Sequence, residues 1–386
     1  MKHIKIHNLG PLQDVDIDLK RVNVLIGPQS SGKSCVLKTL CYCTWVEKRI
    51  ELLQSPEFFQ REGAFVEELV RFHKLKGYLK PDTFIEYESD YMHFSYDHVT
   101  GQLQFEWKER WAYKRSKVTY IPAERNMVAV IPNWFEVKLA DDNIRDFMSD
   151  WEMARKATHE QLRVLNLDVS YHYEPSSNAD KVKLENGKEL DFTNTSSGLQ
   201  SLIPLYVHLN YLDKLQYAEE RSESVKRDSE NWKLLNDIHR TLFREDVFSS
   251  PKEATWETIG QIMLPFADRD AAERCKEIYS RYSTNHFCDI FLEEPEENLF
   301  PPTQTQLVSW LLEMTEGEHA SNLFIATHSP YIVTSLLERQ TIDLGLFFTY
   351  FKEGVSYMKT ASEQDIQEIY DNGVDVFFNL ETFTDE

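Results

Sequence analysis

The chain has 386 residues, with 64 acidic and 42 basic side chains, a formal net charge of −22 at pH 7 and 41% hydrophobic residues. This composition is typical of a globular protein. The length allows one full hydrophobic core with one or two insertions. No apolar run approaches the roughly 18 residues of a bilayer span, and the N-terminus lacks the apolar part of a secretory signal, so we expect a cytoplasmic protein without membrane contact. The acidic balance excludes a surface coated by nucleic acid, although it leaves a local basic groove open.

The N-terminal pattern predicts three strands, a loop and a helix. HIKI and DVDIDL alternate in hydrophobicity on either side of a turn at Asn8–Pro11, and the apolar run Val22–Ile26 is typical of a buried strand. That strand ends at a glycine-rich loop, after which a helix is predicted from about Lys33 to Leu53. Five cysteines without a C-x-x-C pair predict neither disulfides nor a zinc site, so we expect reduced, buried thiols.

Two segments are predicted to be insertions. Residues 51–117 contain a helical stretch at 56–80 and then short alternating runs, which predict an antiparallel β-subdomain. Residues 214–283 are charged and predicted to be helical, with a break near Ser250. The simplest interpretation of this second insertion is a solvated helical face, and the alternative is a docking surface for a partner.

The remaining pattern predicts an α/β core assembled from about 1–50, 118–210 and 285–386. A helix is predicted at 134–166, and Asn186-Gly187 is typical of a type I′ hairpin. Later elements are buried strands at Ile290–Leu292 and Asn322–Ala326, a helix from about Pro302 to Met314 and a β-rich tail. Together these elements predict one discontinuous domain of the α/β class.

The clearest motif is G-x-x-x-x-G-K-S between a buried strand and a helix, a Walker A phosphate loop. Its glycines allow a tight backbone turn whose N–H groups surround phosphates at a helix N-terminus, while the lysine neutralises β- and γ-phosphate charge and the final serine binds Mg²⁺. The motif predicts binding of ATP with Mg²⁺. The expected nucleotide contacts are Gly27, Pro28, Gln29, Ser30, Ser31, Gly32, Lys33, Ser34 and Cys35, with Ser34 also a metal ligand.

Two adjacent carboxylates follow the apolar strand Ile290–Leu292, where parallel sheets place ligands. Glu293 is predicted to hold Mg²⁺ through water, and Glu294 to orient or deprotonate the attacking water. The alternative is a solvated acidic loop in a glutamate-rich chain. The presence of the phosphate loop favours the catalytic interpretation.

Two further segments are ambiguous on their own. His328 follows the strand Asn322–Ala326 and could reach the γ-phosphate or its water, although a single histidine there is more often structural. The segment Asn194–Gln200 places small hydroxyls and a glycine at a predicted helix start, which is either an anion site or an ordinary N-cap. The order of these two segments relative to the phosphate loop and to Glu293 and Glu294 favours a functional role for both.

The set GPQSSGKS, NTSSGLQ, FLEEPEENLFP and IATHSP resembles ABC-class ATPase heads of the RecF and SMC kind. It is most similar to the ATPase domain of the OLD family and to ATPase subunits of anti-phage systems such as PARIS. The resemblance implies a P-loop NTPase with an ABC-type head, an antiparallel β-subdomain and a helical insertion. It also implies ATP hydrolysis that is coupled to assembly.

In that family two heads enclose two ATP molecules, so the resemblance implies that Ser196 and Gly198 contact a γ-phosphate bound at the partner copy's phosphate loop. It also implies that Arg125, in the segment YIPAER, lies near the nucleotide. The sequence departs from the family pattern at Glu293, where Asp is usual, at Gln29, where Asn is common, and at Phe300, where His is common. Slow turnover is one expected consequence.

Spacing separates the subclasses of this family. The interval between Ser34 and Ser196 is too short for a long coiled coil, and no heptads are present. The tail after Pro330 shows no equivalent of the Toprim nuclease that follows the ATPase in the OLD family. We therefore expect any destructive activity to reside in a separate effector, such as a nuclease or toxin.

The predicted function is a Mg²⁺-dependent ATPase that assembles into a homodimer or larger homo-oligomer and controls that effector, with anti-phage defence implied by the resemblance. One alternative is a RecF-like DNA-repair ATPase that clamps DNA. Residues 108–117, which interleave cations with aromatics, would then form a nucleic-acid groove, but an exposed connection anchored by its aromatics explains them more simply. Another alternative is an ATP-binding scaffold that holds a toxin inactive with little turnover.

Overall fold

The computed structural model describes residues 2–218, 225–244, 254–339, 342–374 and 377. The strands are β1 Lys2–Leu9, β2 Leu12–Leu19, β3 Val22–Ile26, β4 Leu79–Glu88, β5 Met92–Asp97, β6 Gln102–Trp107, β7 Ser116–Ile121, β8 Leu162–Arg163, β9 Val169–Glu174, β10 Ala179–Leu184, β11 Glu189–Asp191, β12 Thr255–Ile259, β13 Ile262–Phe266, β14 Phe287–Glu293, β15 Asn322–Thr327, β16 Leu344–Lys352 and β17 Val355–Thr360. The helices are α1 Lys33–Leu53, α2 Glu57–Gln60, α3 Ala64–His73, α4 Met127–Val130, α5 Asn143–Ala157, α6 Ser197–Asn210, α7 Gln216–Ala218, α8 Val225–Leu242, α9 Arg269–Ser283, α10 Pro301–Glu313, α11 Pro330–Leu337 and α12 Glu363–Asn372.

One 11-stranded sheet organises the chain, in the order β6-β5-β4-β1-β2-β17-β16-β3-β15-β14-β7. Strands β16, β3, β15, β14 and β7 are parallel to their neighbours in this run, so their carboxyl ends meet at one edge. The predicted antiparallel strands of 51–117 extend the same sheet, because β4 pairs with β1. The predicted α/β fold class is confirmed.

The sheet is covered on both faces. Leu25 of β3 faces a core that includes much of α1, whereas its neighbours Val24 and Ile26 face a second core built with α5, α6, α10 and α11. This alternation follows from the period of two along a strand. Burial on both faces explains why β3, β14 and β15 have almost continuously apolar sequences.

Two predicted helices are shorter in the structure. The helix predicted over 134–166 is confined to α5, because Asp142 accepts hydrogen bonds from the amides of Ile144 and Arg145 and so begins the helix there. The helical stretch predicted over 56–80 ends with α3, where Lys74 adopts a left-handed conformation at φ 57° and the chain turns into β4. Both errors arise from apolar periodicity that continues past a capping residue.

The hairpin at Asn186-Gly187 joins β10 to β11, but its turn is not of type I′. The amide of Leu184 bonds the carbonyl of Lys188 at 2.9 Å, which leaves a three-residue loop. Only Gly187 in this loop has positive φ, at 80°, whereas type I′ requires two such residues. This hairpin belongs to a separate four-stranded sheet, β11-β10-β9-β8.

The charged segment 214–283 is helical at both ends but also contains the β12–β13 hairpin, which the predicted helical insertion did not include. Its residues 219–224 and 245–253, including the predicted break near Ser250, lie outside the described residues. The hairpin turns at Gly260, whose φ is 58°. One side of α8 and α9 packs with Phe266 of β13 and with Leu52 of α1 into a third hydrophobic core, so the segment is more than a solvated face.

The C-terminal tail pairs β16 with β17 and then forms α12, a helix that the predicted β-rich tail did not include. Its start carries a capping box in which Ser362 and Asp365 bond each other's backbone amides. All five cysteines are free and buried, as predicted. Within the described ranges no helix is long and apolar enough to cross a membrane.

Candidate nucleotide-binding site

The phosphate loop connects β3 to α1 at the carboxyl edge of the parallel strands. Gly32 lies at the N-cap of α1 with φ 92°, and a Cβ there would come within 2.7 Å of the Leu12 side chain. At Gly27 a Cβ would come within 2.3 Å of the Thr349 backbone. Both positions therefore require glycine. Pro28, Gln29 and Ser30 form the exposed mouth of the loop.

Three hydroxyl groups fix the shape of this loop. The Ser31 hydroxyl donates to the carbonyl of Pro28 at 2.7 Å and lies 2.5 Å from the hydroxyl of Thr349. The Ser356 hydroxyl donates to the Ser31 carbonyl at 2.5 Å. Thr349 and Ser356 come from β16 and β17, far along the chain, and their contribution was not predicted from the sequence.

The first amides of α1 have no acceptor inside the helix and are available to an anion. Ser34 is half-buried in this first turn. The Cys35 thiol instead packs in the core near the Leu9 carbonyl, and burial raises its pKa to about 12. Any contact between Cys35 and phosphate therefore involves its backbone amide.

Lys33 is buried, with 5% of its surface exposed. Its ammonium donates to the carbonyls of Gly27 at 2.9 Å and Pro28 at 2.7 Å, and lies 3.3 Å from His328 Nδ1. Burial lowers the pKa of Lys33 to about 8, against the charges of Glu294 and Glu296, which raise it. The lysine is thus held inside the loop with its charge poorly solvated.

This shift predicts a pH-dependent affinity for ATP. A bound triphosphate stabilises the charged form of Lys33, so above pH 8 binding must take up a proton. We expect the affinity for a non-hydrolysable ATP analogue to be constant below about pH 7.5 and to fall by up to about tenfold per pH unit above pH 8. Calorimetric titration measures this, with Lys33→Arg as a control that stays charged; a flat profile for the unmodified protein would contradict the prediction.

Glu293 ends β14 with 5% of its surface exposed. Its Oε1 lies 3.9 Å from Lys38 Nζ and has no hydrogen-bond partner in the described part of the chain. A buried carboxylate oxygen without a donor fits a water-bridged Mg²⁺. The described residues contain no cluster of three or more His, Cys, Asp or Glu side chains able to hold a metal.

Glu294 and His328 meet beside Lys33. His328 Nε2 lies 3.5 Å from Glu294 Oε1, and its other ring nitrogen faces Lys33, so the arrangement requires the ring proton on Nε2. This hydrogen bond lowers the pKa of Glu294, and the charges of Lys33 and Arg125 add to the effect. The carboxylate is therefore ionised at neutral pH, as a base must be.

The backbone of Glu294 is strained, with φ 43°. Two contacts hold it: its amide donates to the carbonyl of Ala326 at 2.8 Å, and its carbonyl accepts from Arg125 Nη2 at 2.7 Å. This conformation turns the side chain out of the strand, where 40% of it is exposed. The strain thus serves to present the carboxylate at the edge of the sheet.

Glu296 positions His328 and was not predicted as a site residue. Its two oxygens accept from the amide of His328 at 2.7 Å and from the hydroxyl of Thr327 at 2.8 Å. These bonds join the turn after β14 to the end of β15. The only sequence signal for this role is the run of four glutamates around Pro295, because only some of them can face the nucleotide.

Arg125 is 1% exposed and lies behind the β14 turn. It donates to the carbonyls of Glu293 at 2.9 Å, Glu294 at 2.7 Å and Ser201 at 3.1 Å. Arg125 therefore positions the backbone of Glu294 and ties it to α6. Its proximity to the nucleotide, expected from the resemblance, remains a prediction; the hydrogen bonds observed are to backbone carbonyls, and Glu297 Oε2 lies 3.8 Å from Nη2.

Ser196 and Gly198 begin α6 but do not join the phosphate loop of their own chain. The Ser196 hydroxyl accepts from the amide of Leu199 at 3.4 Å, and a Cβ at Gly198 would come within 3.0 Å of the Asn298 carbonyl. Among the described residues no hydrogen bond or ion pair connects either residue to Gly27–Ser34. Ser196 is exposed at this helix start.

Residues 3–242 match a family described as an AAA domain, AAA_23, which covers more than half of the chain. The chain belongs to this AAA domain family. AAA domains of this kind are in general ATPases, and the phosphate loop described above lies within the matched residues. No curated protein matches the sequence.

Solved structures of SMC heads are distantly similar to this AAA domain. The SMC head domain from Thermotoga maritima is 10% identical with a TM-score of 0.43, over 93% of this chain and 98% of that chain. An SMC head bound to the C-terminal winged-helix domain of ScpA is 10% identical with a TM-score of 0.44, over 95% and 99%. An SMC head with an extended coiled coil bound to the C-terminal domain of ScpA, derived from Pyrococcus furiosus, is 10% identical with a TM-score of 0.33, over 96% and 99%.

In this AAA domain the basic segment 108–117 has internal partners. Lys108 pairs with Glu88, and the Arg110 guanidinium lies 5.0 Å from the ring centroids of both Trp107 and Trp111. Tyr113 is buried in the third core. These contacts favour a structural connection anchored by its aromatics over a nucleic-acid groove.

The contacts of Arg125 predict a large effect of its removal. In Arg125→Met the buried carbonyls of Glu293 and Glu294 lose their donors, at about 1–3 kcal/mol each. We expect the free energy of unfolding in urea to fall by about 3 kcal/mol or more. The exposed Arg145→Met control should stay within about 0.5 kcal/mol of the unmodified protein, and an equally small change in Arg125→Met would contradict the account.

Proposed function

We propose that this chain binds ATP with Mg²⁺ at the Gly27–Ser34 loop and hydrolyses it to ADP and phosphate. The observation that carries the proposal is the approach of three residues from separate elements. His328 lies between the other two, with Nδ1 3.3 Å from Lys33 Nζ and Nε2 3.5 Å from Glu294 Oε1. The partly exposed carboxylate of Glu294 on a strained backbone also favours a catalytic role over a purely structural loop.

The residues have distinct roles in this proposal. The loop amides and Lys33 neutralise the triphosphate, and Glu294 accepts the proton of the attacking water while His328 orients that carboxylate. Ser34 and Glu293 would hold Mg²⁺, Glu293 through water. When bound, Mg²⁺ neutralises charge that develops on the phosphate oxygens.

We propose further that the active form is a dimer or larger homo-oligomer in which Ser196 and Gly198 of one copy cover the ATP held by another. Support comes from the exposed start of α6, where, among the described residues, neither Ser196 nor Gly198 forms a hydrogen bond or ion pair with the loop of its own chain. Phe300 supports the same assembly, because it is 77% exposed just after the loop that Gly198 packs against. Aromatic residues are enriched at protein–protein interfaces.

By resemblance to the OLD family and to PARIS, we propose that ATP-driven assembly controls a separate effector in anti-phage defence. In the described residues α8, α9 and the β12–β13 hairpin are fixed to the rest of the chain by the third core, which they share with Leu52 of α1 and with Tyr113, so this inserted unit offers a defined surface for such a partner. Co-expression with the protein encoded by the neighbouring gene, followed by purification with and without ATP, tests this. Recovery of the same partner in both conditions would contradict control by ATP.

Phosphate release from the purified chain tests the ATPase itself. We expect release that requires Mg²⁺, stops with EDTA and is lost in Lys33→Ala. Binding of ATP without release would favour the scaffold alternative. Release that rises with duplex DNA, together with DNA binding that weakens steeply with salt, would favour the RecF-like alternative.

A further inference from the structure

A cavity of about 360 Å³ lies beside the C-terminal half of α1. Side chains of α1 at three- and four-residue spacing line it, among them Tyr42, Trp45, Lys48 and Arg49. Lys48 is fifteen residues beyond Lys33 on the same helix, which corresponds to about 22 Å along the axis. The cavity is therefore separate from the phosphate loop.

Cations from several elements converge on this cavity, although the chain carries a net charge of −22. The lining includes Lys48 and Arg49 of α1, Arg71 of α3, and Arg115 and Lys117 at the start of β7. Three of the four lining carboxylates, Glu68, Asp141 and Glu230, pair with two of these cations. Arg49 lies 3.5 Å from Glu230, and Arg71 lies 2.8 Å from Glu68 and 2.7 Å from Asp141. The fourth carboxylate is Asp146, and the lining cation Lys117 pairs with Asp150 at 2.8 Å.

Lys48 differs from these paired cations. Its ammonium donates to the Ser116 carbonyl at 2.5 Å, and no carboxylate of the described residues lies within 4.0 Å of it. Burial lowers the pKa of Lys48, and the nearby charges of Arg115 and Lys117 lower it further. An ammonium has three donors, so two remain for an anion that would also relieve this repulsion.

The remaining lining suits a flat ring. Trp45 and Phe72 line the cavity, and Tyr42 stacks on Trp45 with ring centroids 5.8 Å apart. His73, also in the lining and 1% exposed, has a buried Nδ1 without a partner in the described residues. A cavity of this size with aromatic walls and a few convergent polar groups is typical of a small-molecule site.

We propose that this cavity binds a mononucleotide, with the phosphate on Lys48 and Arg49 and the base against Trp45. The ligand would contact the helix that begins at the phosphate loop. It would also contact Tyr120 of β7, which pairs with β14, the strand that ends at Glu293. The site is thus in contact with α1 and with a strand next to β14 without sharing the ligand of the ATP site.

Calorimetric titration of the Lys33→Ala variant tests this binding, because that change removes the phosphate loop as a competing site. The probes are AMP, GMP, CMP, UMP and inorganic phosphate. We expect at least one mononucleotide to bind at least about tenfold more tightly than inorganic phosphate, and Lys48→Gln in the same background to weaken that binding by at least about tenfold. Arg49→Gln, at a partly exposed position, provides a second variant if Lys48→Gln fails to fold.

The exposed Lys76→Gln serves as a matched control and should leave the affinity unchanged. Absence of mononucleotide binding to folded Lys33→Ala would overturn the proposal, as would an affinity unaffected by the folded Lys48 and Arg49 variants. Binding of a single-stranded oligonucleotide without binding of any mononucleotide would also overturn it. None of these outcomes bears on phosphate release by the unmodified protein, so the two proposals fail separately.

Discussion

Replacing Glu294 by Gln should lower ATP turnover by at least about a hundredfold, because the base that accepts the water proton is lost. Gln keeps the volume of the side chain and removes a negative charge that faces the triphosphate, so ATP binding should persist. Bound ATP that is not cleaved should hold the protein in its assembled form. Phosphate release and sedimentation velocity with ATP and Mg²⁺ measure the two effects.

Glu124→Gln is the matched control, since Glu124 is an exposed glutamate in the turn that follows β7. Its turnover should remain within about twofold of the unmodified protein. Hydrolysis by Glu294→Gln at the parental rate would show that Glu294 is not the base. Loss of ATP binding in that variant would instead show that Glu294 supports the loop itself.

Replacing Ser196 by Arg should abolish assembly and reduce turnover by at least about a hundredfold, while ATP binding by the single chain remains. The physical reason is that Ser196 is exposed and, within the described part of the chain, has no hydrogen bond to its own phosphate loop, so a bulky cation there obstructs only the closing copy. Sedimentation with the ATP analogue, calorimetry and phosphate release together measure these three properties.

Ser196→Thr is the matched control, because threonine keeps the hydroxyl that caps α6. It should assemble and turn over ATP much as the unmodified protein does. Loss of the cap in Ser196→Arg costs about 1 kcal/mol of stability, which urea unfolding measures separately. Normal assembly and turnover in Ser196→Arg would refute a role for Ser196 in a second copy's site.

The sequence predicted the central elements of the ATP site because local signals define them. The strand, loop and helix around Gly27–Ser34 occur where predicted, with α1 beginning and ending at the expected residues. The strands before Glu293 and His328 are equally recognisable, since burial on both faces makes them continuously apolar. Parallel pairing of β14 with β15 then places their carboxyl ends side by side.

The supporting residues could not be predicted, because their roles depend on contacts between distant segments. Glu296 is one glutamate among several in its turn until β15 supplies the donors that it accepts. Arg125 is a single arginine whose importance arises from its burial against backbone carbonyls of β14 and α6. Thr349 and Ser356 lie more than 300 residues from the loop that they hold.

Errors in the predicted elements have a similar origin. The β12–β13 hairpin is short and lies inside a charged, mostly helical segment, so its alternation is visible only over five residues per strand. The helix predicted over 134–166 failed because apolar spacing outside α5 is used by a strand and a turn that pack on the same core. In both segments tertiary packing, and not the local sequence pattern, determines the secondary structure.

The most direct test of a shared ATP site mixes two variants, Lys33→Ala and Ser196→Ala, because alanine removes the Ser196 hydroxyl without the bulk that would block closure of a mixed dimer. Each variant lacks one half of every site in its own homodimer, but a mixed dimer contains one complete site formed by Lys33 of one copy and Ser196 of the other. We predict that the mixture releases phosphate at a rate well above the sum of the rates of the two variants measured separately. A mixture no more active than that sum, with both variants folded, would contradict an ATP site shared between two copies.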